Sequence, residues 1–162
     1  MVFRTAYRIT GNAADAEDVL QTIFLRLLRR DPAAPLPENE ESYLRRAAVN
    51  ASVDLIRIRK AERRVPLTEA AAHTGKPPDD DLREGLRRAL ASLSPQSAEI
   101  FALRYFEDFT NREIAKALRL SQVLVAVKLH RARHLLQKQL LSFWEAGHES
   151  TQTRSGNRGD PQ

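Results

Sequence analysis

Apolar residues recur at intervals of three and four along most of this chain, and strict alternation of useful length appears nowhere. That period puts hydrophobic side chains on one face of a helix, whereas a half-buried strand needs a period of two. The expected fold is all-α. Phe3, Ala6, Tyr7 and Ile9 mark a first helix that stops at Thr10-Gly11-Asn12, and because it begins almost at Met1 its first turns look cut short. A second helix is expected from about Ala13 to Arg30, with Val19, Leu20, Ile23, Phe24, Leu27 and Leu28 as its buried stripe. Asp15, Glu17 and Asp18 sit at the positive end of its dipole, and Arg26, Arg29 and Arg30 at the negative end. Pro32, Pro35 and Pro37 bar helix in the loop that follows. A further helix, from about Glu40 to Arg64, carries Leu44, Ala47, Ala48, Ala51, Leu55 and Ile58 as its apolar side. Its outer face holds Arg45, Arg46, Arg57, Arg59, Lys60, Arg63 and Arg64.

Val65 to Asp81 has the composition of a flexible linker, with Thr74-Gly75-Lys76-Pro77-Pro78 ahead of Asp79-Asp80-Asp81. Helix resumes from Leu82 to Leu93, and Ser94 caps the next one with Pro95 at its favoured first position. Thr110-Asn111-Arg112-Glu113 reads as a capping box. Ile114, Ala115 and Leu118 then give one apolar face, Arg119-Leu120 breaks it, and Ser121 caps a long basic helix. A short helix, a tight turn and a long basic helix make a helix-turn-helix, which lays its second helix in the DNA major groove. Trp144 is expected as a packing anchor, and the polar tail from about Ser150 as disordered. The architecture is two small helical domains, residues 1–64 and 82–141, joined by an acidic linker over 65–81 and followed by a tail over 142–162.

Charge sharpens this division. The net charge is +5, yet residues 65–81 hold one basic and four acidic side chains, while 82–141 hold 11 basic and five acidic ones. Residues 1–64 hold 12 and nine. Two basic units around an acidic segment suit a polyanion touched in two places. From Ile114 to Trp144 there is no acidic residue at all, while Lys116, Arg119, Lys128, Arg131, Arg133 and Lys138 fall inside that stretch. Phosphates repel carboxylates, and each cation that meets a phosphate releases a counterion. With no cysteine there is no disulfide, thiolate metal site or thiol catalysis. No apolar run is long enough to span a bilayer and no signal-peptide core opens the chain, so a cytoplasmic protein without membrane insertion is expected. His130 and His134 stand at the spacing of a helical zinc pair, but arginines flank the site and the glutamate of a metalloprotease is missing. No metal, no cofactor and no catalytic constellation is expected.

Three stretches, in order, resemble the extracytoplasmic-function group of sigma-70 factors of bacterial RNA polymerase. Tyr7 through Gln21 is similar to the opening of the second sigma region. Tyr43-Leu44-Arg45-Arg46-Ala47-Ala48-Val49-Asn50, with Asp54-Leu55-Ile56-Arg57, looks like the part that reads and melts the promoter −10 element. Leu93-Ser94-Pro95-Gln96, Leu103-Arg104-Tyr105-Phe106-Glu107, Glu113-Ile114-Ala115 and Leu129-His130-Arg131-Ala132-Arg133 are similar to the fourth region. The large third region of housekeeping factors has no room here.

The resemblance implies a factor that binds core polymerase, through the clamp of the largest subunit and the flap of the second-largest, and takes it to promoter DNA. An anti-sigma partner and a monomeric free state are implied as well. Asp15, Glu17, Asp18, Gln21, Thr22 and Leu25 resemble the clamp-docking face. Asn50 matches the asparagine that helps capture a flipped base, an act suited to an amide with donors and an acceptor. Tyr43 supplies a stacking wall, Arg45, Arg46 and Arg57 supply charge, and Asp54 lies one turn from Asn50. For the −35 element the implied residues are Arg112, Ser121, Gln122, Val123, Val127, Lys128, His130 and Arg131.

The recognition helix departs from the family's pattern, because Val123, Leu124, Ala126 and Val127 stand where small polar and basic residues are usual. Plotted at 100° per residue, Val125, Leu129, Ala132 and Leu136 face the core. Val123, Val127, His130, Arg131 and His134 then face the groove, where valines can pack on thymine methyls but bond to no base edge. Two other readings stand beside the sigma factor: a helix-turn-helix regulator acting alone, and a degenerate sigma-like protein that occupies polymerase or an anti-sigma factor without initiating.

Overall fold

The computed structural model describes residues 1–31, 37, 39–62 and 78–155, with backbone alone at 78–81 and 144–155. Seven helices and no strand are found among them. The expected Arg63, Arg64, Pro32 and Pro35, and the linker over 65–77, lie outside the described residues.

Helix α1 (Val2–Thr10) ends on Gly11 in the left-handed region, at φ 66°, with the Gly11 N–H donating to Tyr7 O at 2.8 Å. A Cβ at Gly11 would lie 2.5 Å from the Arg87 guanidinium, which passes there to donate to Thr10 O at 2.9 Å. The left-handed turn favours glycine here, and a Cβ would also displace the Arg87 guanidinium from its place beside Thr10 O. Helix α2 (Ala13–Leu28) starts on Asn12, whose Oδ1 accepts from the Ala14 and Asp15 N–H groups. Of its expected buried stripe only Val19 and Ile23 are buried; Leu20, Phe24, Leu27 and Leu28 are exposed. Among the described residues no other helix covers that side, and a bare apolar face looks in sequence like a core face.

Helix α3 (Glu40–Glu62) contributes to both hydrophobic cores. One side, Ala48 and Ala51 with Leu44, Ala47 and Leu55, packs on Ala6, Ala16, Val19 and Ile23 of α1 and α2. Another side, Val49, Val53 and Ile56, joins a second core with helices α4 (Pro78–Ser92), α5 (Pro95–Tyr105), α6 (Asn111–Leu118) and α7 (Gln122–Ser155). The expected apolar side of α3 was thus half of its packing, and Ile58, assigned to it, is exposed. The two helical units meet mainly through α3, with Ile9 of α1 in the same core and Arg8 and Thr10 of α1 bonded across the seam.

Helix α4 begins at Pro78, four residues before the expected Leu82, because proline at the first position and aspartates in the first turn suit a helix start. Ser94 caps α5, its Oγ accepting from the Ser97 N–H at 3.3 Å. The tail differs more. α7 continues to Ser155, past the Ser150 where disorder was expected, with no proline before Pro161 to stop it. The Trp144 side chain lies outside the described residues.

Candidate nucleic-acid interface

The helix-turn-helix is built as its sequence demands. Thr110 Oγ1 accepts from the Glu113 N–H at 3.2 Å, and Glu113 Oε2 accepts from the Thr110 N–H at 2.7 Å, closing the capping box. Both the backbone and the hydroxyl bond of Thr110 hold the Glu113 carboxyl below its ordinary range. Arg119 takes a left-handed turn at φ 55°, and Ser121 Oγ accepts from the Leu124 N–H at 3.1 Å to start α7. Val125, Leu129, Ala132 and Leu136 are all buried, so the expected core side of α7 is the observed one.

Opposite that side, Ser121, Gln122, Val123, Val127, His130, Arg131 and His134 are exposed, Lys128 is half-buried, and Val123 is 74% exposed. Arg112, on α6, is exposed as well. Among the described residues, none of Arg112, Lys116, Arg119, Lys128, Arg131, Arg133 and Lys138 forms an ion pair. A row of cations without internal partners is ready to meet phosphate oxygens. His130 and His134 have no acidic or histidine neighbour with which to form a three-ligand metal cluster among the described residues.

The −10 candidates lie on α3, and most are already engaged. Glu99 Oε1, on α5, accepts from Arg46 Nε at 3.2 Å and from Asn50 Nδ2 at 3.0 Å. Arg46 also donates to Ala117 O at 2.7 Å. Arg45 bridges Glu41 and Glu107, with 3.1 Å to Glu107 Oε2, and Arg57 donates to Leu93 O at 2.8 Å. The Glu41 hydrogen bond, with the Glu107 charge, raises the Arg45 guanidinium above its ordinary value against the lowering effect of burial. Tyr43 and Asp54 are exposed, Asp54 lying 3.8 Å from Arg57.

The six docking candidates on α2 do not act alike. Asp15 is buried and paired with Arg59 of α3, so it faces inward. Glu17, Asp18, Gln21 and Leu25 are exposed and Thr22 is half-buried. Beside them lie the bare Leu20, Phe24, Leu27 and Leu28. A contiguous apolar row with an acidic border is the anatomy of a protein-binding surface. Glu99, Glu107 and Arg8 were absent from the expected site. The signal for Glu99 was available, since an acid inside an otherwise apolar helix, as in Ala98-Glu99-Ile100, needs a buried partner.

Residues 1–64 match the model of Sigma-70 region 2, and residues 83–136 that of Sigma-70, region 4. The chain is 32% identical over 146 residues to the RNA polymerase sigma-E factor of Streptomyces coelicolor, covering 87% of this chain and 80% of that protein. The chain belongs to the extracytoplasmic-function group of RNA polymerase sigma factors. Another relative of this sigma factor is the ECF RNA polymerase sigma factor SigW of Bacillus subtilis, 24% identical over 154 residues, with 86% of this chain and 82% of the relative covered. Its fold is that of the sigma factor RpoE from Bartonella quintana, solved in complex with the anti-sigma factor NepR. The TM-score there is 0.52 at 20% identity, over 86% of this sigma factor and 89% of the other chain.

Proposed function

We propose that this sigma factor docks on core polymerase through the exposed face of α2, reads and melts the −10 element with α3, and meets the −35 element with α7. The observation that carries this reading is the pairing of two surfaces on one chain. One is the apolar row of α2 with Glu17 and Asp18 at its edge. The other is the unpaired cationic face of the helix-turn-helix. A stand-alone regulator needs only the second.

On α3, Tyr43 stacks on a base, Asn50 captures the flipped one, Arg45, Arg46 and Arg57 carry the strand, and Asp54 orients Arg57. On the helix-turn-helix, Arg112, Ser121, Gln122, Lys128, His130 and Arg131 contact the −35 duplex, with Val123 and Val127 against apolar base edges. The factor is monomeric when free, works in the cytoplasm, is no enzyme and needs no cofactor or metal. An anti-sigma factor is its natural antagonist.

Run-off transcription with purified core polymerase and a random-promoter library tests this. Promoter-selective transcripts are expected. Tight binding to defined duplexes without polymerase, and no transcript with it, would instead identify a regulator. The exposed Val123 and Val127 favour a second reading, a sigma-like protein that occupies polymerase without firing, which predicts core binding without transcripts.

A further inference from the structure

Four of the six −10 candidates are occupied by residues of region 4, and the occupants are oxygen acceptors throughout. Glu99 takes Arg46 and Asn50; Glu107 takes Arg45; the carbonyls of Ala117 and Leu93 take Arg46 and Arg57. A DNA strand would offer the same cations phosphate oxygens, and the same amide a base edge. Arg8, on α1, adds to the seam, donating to Phe106 O at 2.7 Å and lying 3.8 Å from Glu107 Oε1. The carboxylates are sequestered, with the side chain of Glu99 12% exposed and that of Glu107 2% exposed. Beneath them Val49, Val53 and Ile56 pack in one core with Leu90, Leu93, Ile100 and Leu103.

Resting on the reading of α3 as the −10 surface, we infer that Glu99 and Glu107 form an acidic latch that closes this surface in the free chain. The latch has a direction. Shut, each carboxylate is desolvated and depends on its arginines; open, carboxylates and arginines are all hydrated. Removing the negative charge therefore strands cations in the closed state alone and shifts the population toward the open one. A strand binds only the open fraction, so its apparent affinity rises in proportion to that fraction.

The full chain carrying Glu99→Gln and Glu107→Gln tests the latch against Glu40→Gln with Asp108→Asn, two exposed acids whose removal changes net charge equally. Because the chain has no cysteine, dyes can be placed on cysteines at exposed Arg26 and Lys138 for energy transfer. The probe is a random-sequence pool of fluorescent single-stranded DNA of about a dozen nucleotides, comparable to one strand-binding site. Expected are lower energy transfer and at least about tenfold tighter strand binding than in the charge-matched control. No change in either overturns the latch. Opening without tighter binding, or tighter binding without opening, overturns it too, because the two must move together. Glu99→Gln alone replaces the double variant if that fails to fold. Failure of the underlying −10 reading shows separately, as unchanged promoter melting by Asn50→Ala in the holoenzyme.

Discussion

Asp15 and its neighbours Glu17 and Asp18 have the same chemistry and opposite fates. In sequence they are three acids in one turn, equally suited to a helix dipole or a docking partner. Helical rotation alone separates them: Asp15 turns toward Arg59, and Glu17 and Asp18 turn to solvent. Asp15→Asn should then destabilise the fold by about 1–3 kcal/mol, because it leaves Arg59 half-exposed with its buried partner neutralised. Chemical denaturation measures this, and an unchanged midpoint would show the pair to be dispensable. Glu17→Gln with Asp18→Asn should leave that midpoint in place and weaken core polymerase binding in a pull-down at moderate salt. Asn50 presents the same problem of reading. A polar residue inside a helix is often bonded locally, yet its amide donates across the domain seam to Glu99. Asn50→Ala in the holoenzyme should lower permanganate reactivity of unpaired promoter thymines more than it lowers closed-complex formation. Undiminished reactivity would make Asn50 structural.

Among the elements, those whose ends carry their own chemistry were legible from sequence. Thr110-Asn111-Arg112-Glu113, Ser94-Pro95 and Thr10-Gly11-Asn12 each fix a boundary through local bonds, and each boundary stands where the residues place it. Packing faces were legible only where a helix has one neighbour layer, as in α7. α3 has two layers, and its second row, Val49, Val53 and Ile56, lies at helical spacing but was overshadowed by the small residues beside it. α2 has one layer and a second apolar row that none of the described residues covers. The capping box of α6 makes a prediction of its own. The Glu113 carboxyl is held below its unfolded range, so its contribution to stability is fully present above the unfolded value, near 4.5, and is lost as pH falls through the lower folded one. Glu113→Gln should remove that part of the acid dependence and leave the neutral-to-alkaline profile unchanged. Thermal melts across the acid range check it, and equal acid sensitivity in both proteins would refute it. Thr110→Ala, which strips the hydroxyl acceptor, should cost about 1 kcal/mol at neutral pH.

At the scale of the whole molecule, two sets of cations face two different futures. Those of α3 are spoken for inside the closed chain, while the described side chains of Arg112, Lys116, Lys128, Arg131, Arg133 and Lys138 on α6 and α7 form no ion pair, and all but the half-buried Lys128 are exposed. The difference was invisible in sequence, where both sets read as basic helix faces, because domain-to-domain pairing leaves no local period. It also decides what the −35 contact can be. Val123 and Val127 are both exposed on the side of α7 proposed to face the groove, and neither can bond to a base edge. Base discrimination there should be shallow, with phosphate contacts supplying most of the affinity. Arg131→Ala in the holoenzyme should then weaken binding to every −35 variant alike and lower the dependence of log affinity on log salt by about one unit. Val127→Ser, which adds a hydroxyl at the groove, should change the order of preference among variants at nearly constant slope. Both are read by titrating holoenzyme against a panel of −35 sequences at several salt concentrations. Should Arg131→Ala relax the preference at one base pair and spare the rest, Arg131 is reading a base edge, and the recognition helix discriminates through its cations rather than through its valines.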